Sequence, residues 1–306
     1  MKTRKEIKVL AREALRAQRG VSIFLGLVYM LLTSVFVAVS EVPVLLVLIR
    51  SMSRRRSVGF VSMLGAGAVL WLLLVAGAVI LLVLAVNMYG EYLKAYRRET
   101  AGVKAMFTEL RVHFFRKLGG ICWMVLWIKI WALPVLAVPA LALLGESFIR
   151  RNIWMVFPLI LLSLLLLIPM FVKALSYFMT PFILADDPNV KAREALKLSA
   201  RMTKGCKGQL LVMMLSFIGW GILSALTFGI LGIVFVFPYL YLTYAGFYTE
   251  LRGREAEADE EDAAEIDAEE AAEAEEAVEE EIDEEAEEAE EEAVEIEVIE
   301  EDIEEA

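Results

Sequence analysis

From Glu255 to the last residue the chain has no lysine or arginine, and all 306 residues together hold one histidine and two cysteines. Cys122 and Cys206 each stand where a hydrophobic run meets a basic segment, make no CxxC pair, and are not expected to form a disulfide. His113 alone cannot complete a Cys/His cluster, so neither a metal site nor a cofactor site is expected. The chain also lacks HExxH, Walker and GxSxG motifs. Its long hydrophobic runs contain no aspartate or glutamate, and Glu41 lies at the outer end of the first. That absence argues against carboxylate-coupled transport and aspartyl intramembrane proteolysis, and no catalytic residue can be named. A non-enzymatic protein is expected.

Hydrophobic length is abundant by contrast. The chain is 58% hydrophobic, with a mean hydropathy of +0.60. A hydrocarbon layer of roughly 30 Å needs about 20 helical residues. Runs from Gly20 to Val39, Val58 to Met88, Ile121 to Leu144 and Ile153 to Leu184 meet that length. Leu210 to Thr249 is about twice as long, and Gly229 and Gly232 in "LTFGILG" divide it into two helices. The expected fold is all-α, a polytopic membrane protein with about six transmembrane helices. "AVS" at Ala38 to Ser40 loosely fits a signal cleavage site, but the long basic leader and long apolar run favour an uncleaved first span.

Positive charge orients such a protein. Seven basic residues precede Gly20, seven lie between Gly90 and Gly120, and six between Asp186 and Gln209. The alternate loops carry fewer, although the Arg54 to Arg56 triplet runs against the pattern. The expected arrangement is a multi-pass cell-membrane protein with both termini cytoplasmic. It has a surface helix at 1–19, a membrane domain at 20–249 with cytoplasmic loops 90–120 and 186–209, and a tail at 250–306. Glycines near Gly20, Gly119 and Gly205 follow basic residues and open apolar runs, which suggests three units of surface helix plus membrane hairpin.

The leader and the third basic segment read as amphipathic helices. On a helical projection Lys5, Lys8, Arg12, Arg16 and Arg19 form one stripe, with Ile7, Leu10, Ala11, Ala14 and Ala17 opposite. In the segment from Pro188 to Met202, Asp187 is placed as N-cap and Pro188 in the first turn. Ala195, Leu198 and Met202 recur at helical spacing among Lys191, Arg193, Lys197 and Arg201. Both helices are expected to lie on the bilayer, apolar face at the acyl boundary and cations on anionic headgroups. Without an aromatic recognition platform, nucleic acid is not an expected partner.

Two lysines inside the hydrophobic runs are candidate functional groups. Lys173 lies near the inner end of the fourth run, where it can snorkel. Lys129 lies about 12 Å into the third, opposite Trp123, Trp127 and Trp131. If the tryptophans meet lipid, Lys129 faces the bundle.

The stretches "YFMTPFILADDPNVKAREALKLSARMTKG" and "LSFIGWGILSALTFGILGIVFVFPYLYLTYAGFY" carry the most specific pattern. Through Pro181, Ala185, Asp186, Asp187 and Pro188, then Ile218, Gly219, Trp220, Gly229, Pro238, Tyr239, Phe247 and Tyr248, they resemble the bacterial integral membrane family called domain of unknown function 975. The basic leader is similar as well. In "LLLLIPMFVKALSYFM", Met170 stands where the family pattern leads one to expect glycine. The acidic tail is outside the pattern. This resemblance implies a multi-span membrane protein and no established activity. Physically, the Asp186, Asp187, Pro188 corner is expected to cap the surface helix and turn the chain out of the membrane.

The last 52 residues hold 31 of the 42 acidic side chains, while residues 1–254 hold all 30 basic ones against 11 acidic. With no lysine to pair against, the tail is expected to be a disordered polyanion. Its partners are expected to be the basic cytoplasmic helices of the same chain or a basic protein. The function expected overall is a scaffold, regulator or lipid-interacting component of a bacterial membrane, with a small-solute permease or channel as the alternative.

Overall fold

The computed structural model describes residues 2–52, 60–144, 156–187 and 189–264, together with positions 154, 266 and 268. The chain divides into two units, Met1–Arg252 and Gly253–Ala306. The described residues are almost wholly helical, with no strand among them.

The first unit opens with α1 (Arg4–Ala17), whose Thr3 N-cap and Glu6 form a reciprocal capping box. The helices α2 (Arg19–Met52) and α3 (Phe60–Tyr96) pair as the first membrane hairpin. A short α4 (Val103–Thr108) precedes the second hairpin, made of α5 (Phe114–Leu144) and α6 (Val156–Tyr177). After a two-residue turn, α7 (Thr180–Asp186) completes the fourth span, and α8 (Ala192–Met202) follows it. The fifth span is broken at Ser216 and Phe217 into α9 (Lys207–Leu215) and α10 (Ile218–Leu226). A reversal at Thr227 to Gly229, with Gly229 at φ +83°, leads to a π-helical turn at Gly232–Val236. The helix then continues as α11, residues 237–252. The left-handed φ at the reversal suits a residue without a Cβ.

Among the described residues, six helical segments are long and apolar enough to cross a bilayer. Side chains such as Leu161, Leu165 and Ile168 on α6 remain more than half exposed, which is sustainable in lipid and not in water. Each of the three hairpins is preceded by a helix, as the repeated sequence junctions suggested, although α4 has only 6 residues. The Arg54 to Arg56 triplet lies outside the described residues.

The packed core sits at the basic end of the bundle. Phe182 on α7 stacks on Tyr248 and meets Tyr89 edge-on, while Tyr241 stacks on Tyr92. Aromatic rings bury large areas and favour these offset and edge contacts. Close backbone approach makes room for them: a Cβ at Gly246 would stand 2.7 Å from the Tyr96 ring. The Tyr92 hydroxyl donates to the Ser22 carbonyl at 2.9 Å, tying α3 to α2.

At the same end, Arg97 just beyond α3 grips Asp186, the last residue of α7, through two bonds of 2.6 and 3.0 Å. The Tyr248 hydroxyl on α11 donates to the same carboxylate at 2.9 Å. This corrects the capping role expected for Asp186. Asp187 does not cap α8 either: its carboxylate accepts the Asn189 N–H at 2.9 Å, and α8 starts at Ala192 with Lys191 as N-cap. The Lys191 N–H donates instead to the Glu194 carboxylate at 3.2 Å. A carboxylate that takes both nitrogens of a guanidinium and a phenol hydroxyl has more to gain there than at an exposed helix start. Pro188 lies outside the described residues.

In the second unit, residues 253–264 are helical. The first ten positions of the acidic segment thus follow the high helix propensity of alanine and glutamate despite like-charge repulsion. Disorder expected farther along the tail concerns residues that are almost all outside the described ones.

Asp186→Ala should lower stability by about 1–3 kcal/mol, because Arg97 and Tyr248 lose their shared acceptor. Asp187→Ala, which loses one turn bond, should cost less. Thermal unfolding of the detergent-solubilised protein checks the order, and equal effects would contradict it.

Candidate functional site

Both amphipathic helices form, and neither spends its apolar face on lipid. Ile7, Ala11, Ala14 and Leu15 of α1 are buried against the bundle. Two of the stripe's cations bond to the bundle, Lys8 half-buried and Arg12 still exposed. Lys8 donates to the Ser216 hydroxyl at 2.6 Å and lies over the Phe217 ring, at the break between α9 and α10. Burial pushes its amine below the ordinary lysine value, and the neighbouring Arg12 and Arg4 push the same way. Arg12 donates to the Tyr239 hydroxyl at 3.2 Å. Lys2 is tied to Glu250 at 2.7 Å. Lys5, Arg16 and Arg19 stay exposed.

Ala195, Leu196, Ser199 and Met202 bury the inner face of α8. Ser199 donates its hydroxyl to the Ser176 carbonyl at 2.8 Å, and Thr203 reaches the same oxygen at 3.3 Å. Packing on α5, α6 and α7 therefore replaces the expected acyl boundary. Lys191, Arg193, Lys197 and Arg201 remain on the exposed face.

Two of the open cavities beside this helix also border α5. One, of about 660 Å³, is bordered by Arg111, His113, Arg116 and Lys191 near the start of α5. Arg116 there donates to the Asn189 carbonyl at 2.9 Å. The other, of about 480 Å³, lies between α5 and α8 and is lined by Trp123, Trp127, Tyr177, Arg193, Leu196, Lys197 and Ala200.

The tryptophan stripe of α5 faces protein, so the condition under which Lys129 would face the bundle is not met. Arg193 of α8 lies over Trp123 at 5.0 Å, and Lys173 of α6 over Trp131 at 5.1 Å. Lys173 thus has an aromatic partner in place of simple snorkelling. Lys129, on the other side of α5, is exposed and does not point into the bundle. Two cations from neighbouring helices thus lie over indole faces of α5.

A second polar cluster was invisible in the run boundaries. The helix of the second span continues past Met88 to Tyr96, so it carries a fully buried carboxylate, Glu91. Its oxygens accept from Lys94 at 2.8 Å and from the Gly102 N–H at 2.7 Å. Lys94 also reaches Glu109 at 2.6 Å. One turn earlier, buried Asn87 donates to the Met106 carbonyl and accepts from buried Lys117 on α5 at 2.7 Å. Every bonded member of this chain has a partner from a different element, so it reads as a clamp joining α3, α4 and α5. The available signal was the Asn87, Glu91, Lys94 spacing on one helical face.

Among the described residues no cluster of three or more His, Cys, Asp or Glu side chains could hold a metal ion. Cys122 is exposed, Cys206 is buried, and neither is in a disulfide. The arrangement therefore offers cations and aromatic surface, the chemistry of anion and amphiphile binding.

These features define a polytopic helical membrane protein with a basic, aromatic-lined end. Residues 1–255 match the family described as Protein of unknown function (DUF975), and the chain belongs to that family. The match ends where the acidic segment begins. No curated protein and no solved structure matches the chain. Of the residues that carried the resemblance, Asp186 and Tyr248 meet directly. Pro181, Tyr239 and Phe247 are buried beside them in the same end of the bundle.

Asn87→Leu should strand the buried Lys117 ammonium and cost about 1–3 kcal/mol. Adding Lys117→Met removes the stranded charge, so the double variant should recover much of that loss. Tm values of the wild type, Asn87→Leu, Lys117→Met and the double variant measure the coupling, and simple additivity would refute the clamp.

Proposed function

We propose that the protein is a non-enzymatic component of a bacterial cytoplasmic membrane, a scaffold or regulator whose basic end lies on the cytoplasmic side and binds anionic headgroups. One observation carries the reading. The inner face of α8 is fixed to the bundle, which leaves Arg193 and Lys197 projecting from a rigid support beside the inner ends of the spans. Each such cation near an anionic leaflet contributes on the order of 1 kcal/mol. Lys5 and Arg16 on α1 and Arg19 at the start of α2 add to the same charge, whereas Lys8 and Arg12 hold α1 in place. Both termini belong on this side by the distribution of positive charge. On this reading the acidic segment, which has no basic residue of its own, competes with headgroups for these cations.

A solute path is the second reading. It is supported by a cavity of about 150 Å³ bordered by Gly26, Tyr29, Met30, Thr33, Met88, Phe237 and Tyr241 beside the π-helical turn. Such turns recur at functional sites. Lys129, facing away from the bundle, has no part in it.

Reconstitution into neutral and anionic vesicles separates these readings. With anionic lipid, amine labelling of Lys191 and Lys197, read by mass spectrometry, should fall several-fold. It should return near 1 M salt, where the Debye length is about 3 Å. Labelling indifferent to lipid charge would overturn the headgroup reading, and solute flux abolished by Tyr241→Trp would favour the second.

A further inference from the structure

We infer that the cavity between α5 and α8 is a site for one anionic phospholipid molecule, held edgewise at the inner end of the bundle. The inference deepens the headgroup reading and rests on it, but it requires a discrete site where that reading requires only a charged surface.

The walls of the cavity differ in chemistry. Trp123 and Trp127, one helical turn apart on α5, meet edge-on with ring centroids 6.2 Å apart and give an aromatic floor. Tyr177, the last residue of α6, and Leu196 of α8 close it and are themselves mostly buried. Arg193 and Lys197, one turn apart on α8, stand on the exposed side. A ligand must therefore present negative charge at one end and apolar surface at the other.

The tryptophans define the apolar end. Trp123 is covered by Arg193, and Trp131, two turns farther along, by Lys173. Trp127 lies between these cation-covered rings and opens into the cavity. An acyl chain entering from the membrane side meets the Trp127 ring, and the phosphate then reaches Arg193 and Lys197. Arg193 is already held over Trp123, so less side-chain freedom is lost when it receives the phosphate. The depth also fits, because tryptophan and tyrosine favour the level of the headgroups.

Charge complementarity selects an anionic phospholipid over a zwitterionic one. A free phosphate would use the cations and leave the aromatic floor unused. The neighbouring cavity at Arg111 and Arg116 provides an internal control, since it is cationic but not bordered by the tryptophan pair.

Native mass spectrometry of the full chain, purified in mild detergent with equal phosphatidylglycerol and phosphatidylcholine, tests the site. The expected result is one retained phosphatidylglycerol per chain. Trp127→Ala and Lys197→Gln should each reduce retention about fivefold, Trp127→Phe should restore most of it, and Arg111→Gln should leave it unchanged. Circular dichroism and Tm identify any variant that fails to fold, and Lys197→Gln, on the exposed face of α8, then carries the comparison. Equal retention of both lipids, displacement by inorganic phosphate, or insensitivity to Trp127 and Lys197 would each overturn the site. If amine labelling of α8 still responded to anionic vesicles, the surface reading would stand while the discrete site fell. Loss of both responses would end both.

Discussion

The basic end of the bundle depends on one carboxylate being shared by three parts of the chain. Asp186 ends α7, accepts both guanidinium nitrogens of Arg97 after α3, and accepts the Tyr248 hydroxyl from α11. Apolar packing alone does not fix the rotation of helices in lipid, because hydrocarbon is as good a partner for leucine as leucine is. Directional bonds at a few points supply what hydrophobicity cannot. Around Asp186 the stacked rings of Phe182 and Tyr248 gain a unique geometry, and the clamp from Asn87 to Lys117 repeats the device between α3 and α5. The halves of the spans away from the basic end, with leucine and valine exposed along α6 and α2, show no comparable device among the described residues.

The same distinction governs the two amphipathic helices. A stripe of apolar residues states that a helix face is covered and says nothing about what covers it. Ile7 and Ala195 are consistent with a bilayer surface, yet both are fully buried in protein. Docking has a consequence for charge. It takes Lys8 and Arg12 out of the freely available set and leaves Arg193 and Lys197 on a fixed support. Cations that a linear reading treats as equivalent become two kinds, those that hold the bundle together and those that face outward. The aromatic groove beneath Arg193 and Lys197 belongs to the second kind.

Much of the fold was legible because membrane helices are specified by length and polarity. The six spans, the reversal at Gly229 and the helices at 4–17 and 192–202 follow from patterns in the sequence. Helix ends were less legible. Reading a span as ending at its first charge placed Glu91 in a loop, whereas α3 runs on to Tyr96 because Lys94 and the Gly102 N–H neutralise that carboxylate. Asp187 resembled an N-cap by position, but capping at Lys191 by Glu194 moved the start of α8. Trp123, Trp127 and Trp131 were correctly placed on one face, but which surface that face meets was not legible, since periodicity does not orient a helix against its neighbours.

What the sequence by itself determined is the number of spans, the family, and the separation of basic from acidic charge, since each is a property of local composition and order. Which side chains face one another was decided only by tertiary structure. Helical periodicity fixes an angle about an axis and leaves the rotation of one axis against the next undetermined. That rotation turns Lys129 outward, places Trp127 between two cation-covered rings, and brings Asp186 to Tyr248, 62 residues away.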